Sequence, residues 1–162
     1  MFDKLEKLII EYDWKVNKQN TTAGWRSGVY SLSVGKTYHW CKPGIPLLPT
    51  RAMNKDRRIY DECKNLFPNF DFEMIIINKN TIAPPHRDIN NIGKSLIIGF
   101  GDYNYGNLLI EDNSTKIVEE HCIYWSPLYF DGKNDLHWNE EFIGNRYSII
   151  LGNSKVLRHK SN

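Results

Sequence analysis

Hydrophobic patterning changes character near residue 70. Before it, Leu5, Leu8, Ile9 and Tyr12 recur at helical spacing with charges between them, which predicts a short amphipathic helix over Phe2–Tyr12. The stretch "TRAMNKDRRIYDECKNLFP" predicts a second helix that stops before Pro68, where proline cannot continue it. Between them, "RSGVYSLSVGKTYHWC" (26–41) alternates and is rich in β-formers, and reads as a hairpin turning at Gly35. "KPGIPLLP" then interrupts regular structure with its prolines.

After Phe70 the apolar runs are short and separated by turn residues: "FEMIIIN", "KSLIIGFG", "GNLLIED", "TKIVEE", "HCIYWS", "PLYFDG", "DLHW" and "RYSIILG". Many short strands at close spacing predict a sandwich or barrel rather than a doubly wound parallel sheet. The expected fold class is mainly β with flanking α-helices, a jelly roll whose two sheets enclose a pocket open at one end. The expected organisation is a single domain over 1–162. Residues 1–70 supply the flanking helices and hairpin, and 71–153 the core.

Composition narrows the function classes. A length of 162 residues suits one core. The net charge of +2 gives no whole-chain electrostatic case for nucleic acid, although a local cluster is compatible with it. No run reaches the ~18 apolar residues of a membrane helix, and "MFDKLEKLII" lacks a secretory cleavage pattern. Cys41, Cys63 and Cys122 show no C-x-x-C pairing and are expected to be reduced thiols, which points to a cytoplasmic compartment.

Candidate chemistry begins at "NTIAPPHRDINNIGKS". On a strand, His86 and Asp88 would project to one face, so an imidazole nitrogen and a carboxylate oxygen can converge on one ion while Arg87 points away. Pro84 and Pro85 fit a strand edge or start. H-x-D alone is a weak signal and needs a third ligand. Of the other histidines, His39 falls in the expected hairpin, His121 opens a strand and His159 lies in a basic tail. His137, in "FDGKNDLHW", follows a strand and a turn that would return it to the pocket mouth. Two histidines and a carboxylate on one face leave open metal positions, as in the facial triad of non-haem Fe(II) oxygenases. Nine residues further on, "RYSIIL" places Arg146, Ser148 and Ile150 on one strand face. A guanidinium aimed into an apolar pocket requires an anion, and a dicarboxylate would supply it, with Ser148 adding a hydrogen bond. The alternative is an ion pair with Glu140 or Glu141.

"HRD" at 86–88, His137 and "RYS" at 146–148 resemble the H-x-D…H…R-x-S pattern of the Fe(II)/2-oxoglutarate dioxygenases. The likeness extends through "INKNTIAPPHRDINNIGKSLIIGFGDYNYGNL" and "FDGKNDLHWNEEFIGNRYSII", covering about Phe72 to Gly152. These segments are similar to an uncharacterised branch found in algae, viruses and phages, and more loosely to the TET/JBP nucleobase oxygenases and prolyl hydroxylases. One departure is "YNYGNL", where Tyr105 stands at the first of two expected glycines. The resemblance implies a double-stranded β-helix, cupin-like, with Fe(II) on His86, Asp88 and His137. It also implies 2-oxoglutarate as co-substrate, held by Arg146 and Ser148, and O2 as oxidant for hydroxylating a C–H bond. An intracellular location, in a host cell for a viral member, accompanies it.

Around these residues the expectations are less specific. Asn78 and Asn80 either reach the co-substrate or cap the strand "MIIIN". Asn91 and Ser95 either bond backbone or substrate or fit a turn around Gly93. Asp102 and Tyr103 either face the substrate or form a turn, and Asp131 and Gly132 turn the chain toward His137. Trp138 is expected to point away from its ligand neighbour into the core. For the substrate, one reading is a nucleobase in DNA or RNA, with Arg51, Lys55, Arg57 and Arg58 on phosphates and Trp25 or Trp40, beside Arg26, stacking on an extruded base. A protein side chain, as for prolyl hydroxylases, or a small metabolite is the alternative. A non-catalytic jelly-roll binding module is the third reading.

Overall fold

A computed structural model describes residues 1–15, 30–37 and 47–155. His39, His159, Cys41, Trp25, Trp40 and Arg26 lie outside these residues. The first helix forms as the spacing requires. Helix α1 (Asp3–Ile10) buries Leu5 and Ile9, with Asp3 and Glu6 in its first turn, where the helix dipole favours carboxylates.

The second expected helix is two. Helix α2 (Arg51–Lys55) is N-capped by Thr50, whose Oγ1 accepts from Met53 N–H at 3.2 Å. Asp56 then breaks the run with extended backbone, and its carboxylate accepts from Arg58 N–H at 3.0 Å. An aspartate that captures a nearby backbone donor competes with helix continuation. Helix α3 (Arg58–Leu66) starts afresh and stops at Phe67, before Pro68 as expected.

The hairpin at Gly35 is also corrected. Strand β1 (Tyr30–Thr37) runs straight through that glycine. It pairs antiparallel with β3 (Met74–Lys79) and at its end with β2 (Leu48–Pro49). Gly35 is required there because its φ is +135° and a Cβ would lie 2.1 Å from the Glu73 carbonyl oxygen. Gly35→Ala is expected to cost about 2–4 kcal/mol. A denaturant midpoint equal to wild type would show that β1 can be redrawn without loss.

The remaining strands are β4 (Asn91–Tyr105), β5 (Leu108–Glu111), β6 (Val118–His121), β7 (Leu128–Phe130), β8 (Leu136–Asn139) and β9 (Phe142–Ser154). Of the apolar runs after Phe70, only "HCIYWS" forms no strand of its own. His121 closes β6, Tyr124 makes a single parallel bridge to Gly99, and Trp125 turns the chain at φ 52°.

The strands form two sheets, ordered β2-β1-β3-β9-β4-β7 and β6-β5-β8. His86 bridges His137 antiparallel, so its segment lies beside β8 at the margin of the smaller sheet. The result is a jelly roll.

The larger sheet is buried on both faces. Ile75, Ile77, Leu96, Ile98, Phe100, Tyr147, Ile149 and Leu151 pack against the helices. On the opposite face, Ile97 and Ile150 meet Leu108, Ile110, Ile123 and Phe130 between the sheets. Alternation along β9 therefore turns Arg146, Ser148 and Ile150 toward the interior of the roll and Tyr147, Ile149 and Leu151 toward the helices. No helix among the described residues is long and apolar enough to cross a membrane.

Candidate metal centre and co-substrate site

His86 and His137 meet because their backbones form a hydrogen-bonded antiparallel pair. Each N–H donates to the other's carbonyl at 3.0 Å. Residues directly opposite share a sheet face. That face is the interior, since His137 also stands opposite Ile110 and its ring meets Phe130 edge-on at 5.0 Å. The two imidazole rings lie 4.3 Å apart. Asn139 fixes the approach of the proline pair, with its Oδ1 accepting from Ala83 N–H at 2.8 Å. Asp88, two residues after His86, is anchored by its N–H to the Gly132 carbonyl at 2.8 Å.

The ring tautomers suit a metal. His86 Nδ1 lies 2.7 Å from the Pro84 carbonyl and His137 Nδ1 3.0 Å from the Asp135 carbonyl. A carbonyl only accepts, so each Nδ1 carries a proton, and in the neutral ring each Nε2 then presents a lone pair. Both Nε2 atoms face the Asp88 carboxylate, at 3.7 Å from Oδ1 for His86 and 3.4 Å from Oδ2 for His137. One ligand atom from each of the three residues falls within 4.8 Å of the others. Burial, and then the neighbouring His137, lowers the pKa of His86, which favours the neutral ring a metal needs. Three electron-pair donors turned on one another form a poor cluster by themselves and a good one around a cation, so the residues fit a metal. His121, the other described candidate, instead contacts Glu119 at 3.5 Å.

Across the interior, on the larger sheet, Arg146 is 3% exposed. Its Nε donates to the Gly106 carbonyl at 3.1 Å, and the guanidinium lies 5.6 Å from the Tyr103 ring centre and 5.8 Å from that of Phe142. Among the described residues no carboxylate pairs with it, so the ion pair with Glu140 or Glu141 does not form. Burial lowers its pKa against the opposing influence of Tyr103. The Tyr103 phenol is raised, chiefly by burial. Ser148 stands in a cross-strand row with Asn78 and Gly99. Ser148 and Asn78 are 4% and 9% exposed, and among the described residues neither side chain has a hydrogen-bond partner. A Cβ at Gly99 would come 2.8 Å from the Tyr103 hydroxyl, so the glycine admits that phenol over the row. Buried polar groups without partners, clustered around a guanidinium without an anion, fit a small dicarboxylate.

Asn80 is placed differently. It is exposed at φ 54°, its Oδ1 accepts from Arg146 N–H at 2.8 Å, and its Nδ2 donates to Asn145 at 3.1 Å. Its amide is spent on holding the strand that carries Arg146. Tyr105 takes φ 67° and Gly106 φ 73°, so the departure from a double glycine keeps left-handed backbone at both positions, with the tyrosine side chain outside. Trp138 lies opposite Leu109, on the other face from His137, as alternation requires. Asp102 is exposed.

No protein-family model and no curated protein matches the chain. Solved structures do. A 2OG-Fe(II) oxygenase family oxidoreductase from Burkholderia pseudomallei is 11% identical at a TM-score of 0.60, over 94% of this chain and 77% of that one. The structure of OsALKBH1 is 12% identical at 0.55, over 94% and 90%. A prolyl hydroxylase from Trichoplax adhaerens, in complex with a hypoxia inducible factor oxygen degradation domain peptide fragment, is 11% identical at 0.54, over 93% and 74%. At such identities the likeness establishes the fold, a jelly roll shared with 2-oxoglutarate oxygenases.

Proposed function

We propose that the chain is an Fe(II)- and 2-oxoglutarate-dependent dioxygenase, folded as one domain with its catalytic core in 71–153. The observation that carries this reading is a buried guanidinium without a carboxylate partner among the described residues, on the sheet that faces the His-Asp-His cluster across the interior. A module that only bound a metal would have no use for Arg146. His86, Asp88 and His137 would hold the iron. When bound, Fe(II) supplies the redox chemistry by which O2 converts 2-oxoglutarate to succinate and carbon dioxide while one oxygen atom enters a substrate C–H bond. The chain's own residues bind and orient. Arg146 grips the distal carboxylate of 2-oxoglutarate, with the Ser148 hydroxyl and the Tyr103 phenol completing the clamp. Asn78, beside Ser148, supplies an amide to the chain of the same molecule. Ile97, Ile110, Ile123 and Ile150 keep bulk water from this space.

Two members of the basic cluster are already engaged by carboxylates, which weakens the case for a nucleobase substrate. Arg57 pairs with Asp61 at 3.0 Å and Arg58 with Asp56. Both belong to the helical layer, on the far side of the larger sheet from the site. A protein side chain or a small metabolite needs no such phosphate contacts and is the reading we favour. The Trichoplax neighbour, bound to a peptide fragment, supports the protein side chain.

The test is succinate formation from 2-oxoglutarate, measured with and without Fe(II) and O2. Even without substrate, slow turnover that requires both is expected. No succinate, together with no 2-oxoglutarate binding in the presence of Mn(II), would overturn the assignment.

A further inference from the structure

A metal at His86, Asp88 and His137 accounts for those three side chains but leaves the residues packed behind the carboxylate without a purpose. Asn91, three residues past Asp88, uses one amide nitrogen twice. Its Nδ2 donates to Asp88 Oδ2 at 3.5 Å and to Ser95 Oγ at 3.1 Å. Ser95 is 2% exposed and fixed opposite Phe130, within the stretch of β4 between Ile92 and Leu96 where the register against β9 shifts. The Asn91 backbone closes the same turn, its N–H donating to the Asp88 carbonyl at 2.8 Å.

Gly132 gives a second, independent indication. Its backbone is outside the left-handed region, so conformation does not demand glycine. Space does. A Cβ there would stand 3.2 Å from Asp88 Oδ2, 3.4 Å from Asn91 Nδ2 and 3.1 Å from the Phe130 ring. A simple turn former has no need of Ser95, and a partner for Ser95 alone has no need of the clearance at Gly132. Both features make sense if the carboxylate and amide must lie together at a set angle.

We propose that Asn91, anchored by Ser95 and given room by Gly132, is a positioning residue that orients the Asp88 carboxylate for the metal. The carboxylate torsion is soft, and the Asp88 side chain is 39% exposed. Holding Oδ2 fixes the plane of the group, and with it the direction in which the carboxylate meets the two imidazoles. A partner behind a metal ligand acts in this way on affinity. The inference rests on the metal reading of the site.

The probe is Mn(II), titrated against metal-free protein by the electron paramagnetic resonance of the free ion. Asn91→Ala is expected to weaken Mn(II) binding about 10- to 100-fold. Ser95→Ala should weaken it about 2- to 10-fold. The double variant should be no weaker than Asn91→Ala, because Ser95 acts through Asn91. Melting of the metal-free proteins is followed in parallel, since a merely structural role would lower stability and leave affinity alone. Wild-type affinity in Asn91→Ala, with no binding by Asp88→Ala, overturns the relay and leaves the metal reading intact. No binding by the wild type, or equal binding by Asp88→Ala, overturns the metal reading and the relay with it. Should Asn91→Ala fail to fold, Ser95→Ala decides: wild-type affinity there overturns the relay, and weakened binding at unchanged stability supports it.

Discussion

Asp88→Ala is expected to abolish Fe(II)-dependent succinate formation, a loss well beyond the roughly 100-fold at the upper end for residues behind a ligand. The cause is local. Asp88 is the only carboxylate in the three-residue cluster, and without it two neutral imidazoles face a cation with no compensating charge. The metal-free protein should scarcely notice. The carboxylate there confronts two imidazole lone pairs, and its removal relieves that opposition, so stability should change by no more than about 0.5 kcal/mol. The contrast appears on adding metal. Mn(II) at 100 times its dissociation constant stabilises a folded protein by about 2.7 kcal/mol, a rise in melting temperature of about 5–11 °C for a chain of this size. The wild type should show that rise and Asp88→Ala should not. A variant that retains both the rise and full turnover would mean that the metal sits elsewhere.

Arg146→Met should produce the opposite pairing of effects. Removing one member of a buried charge pair costs about 2–5 kcal/mol, so the dissociation constant for 2-oxoglutarate should increase roughly 30- to 4,000-fold. The free protein should become more stable. The guanidinium is 3% exposed with no carboxylate partner among the described residues, and methionine keeps the stem while discarding the desolvated charge. Arg146→Lys should fall between the two, keeping the charge and losing the planar fork. Calorimetric titration with 2-oxoglutarate in the presence of Mn(II), beside denaturation of the free proteins, measures both quantities. Unchanged 2-oxoglutarate affinity in Arg146→Met would reassign the clamp.

The site was legible where chemistry follows strand periodicity. His86 and Asp88 at i and i+2, and Arg146 and Ser148 at i and i+2, announce a shared face before any fold is known. The second imidazole was legible only as one histidine among several, because its partnership with His86 depends on two backbones some fifty residues apart. The Asn91–Ser95–Gly132 arrangement is not legible in sequence, where Asn91 and Ser95 fit a turn or a bond to backbone or substrate and Gly132 a separate turn, since nothing in a linear sequence shows that residue 132 returns behind residue 88. The fold shows the same division. Alternating and apolar runs after Phe70 gave the strands, apart from "HCIYWS", where β-forming side chains occur in a segment that pairs only at His121, the end of β6, and at Tyr124. Gly35 read as a turn because its backbone is one that turns use, yet here it serves a close approach between two straight strands. The single helix expected over "TRAMNKDRRIYDECKNLFP" broke because Asp56 bonds the Arg58 amide.

Arg146 hangs from the larger sheet, whereas His137 belongs to the smaller one and His86 to the strand beside it. A molecule reaching from the metal to the guanidinium is thus a strut between two layers that otherwise meet mainly through interleaved aliphatic side chains. Binding of such a molecule would then also stiffen the roll, so loading and stiffening would be one event.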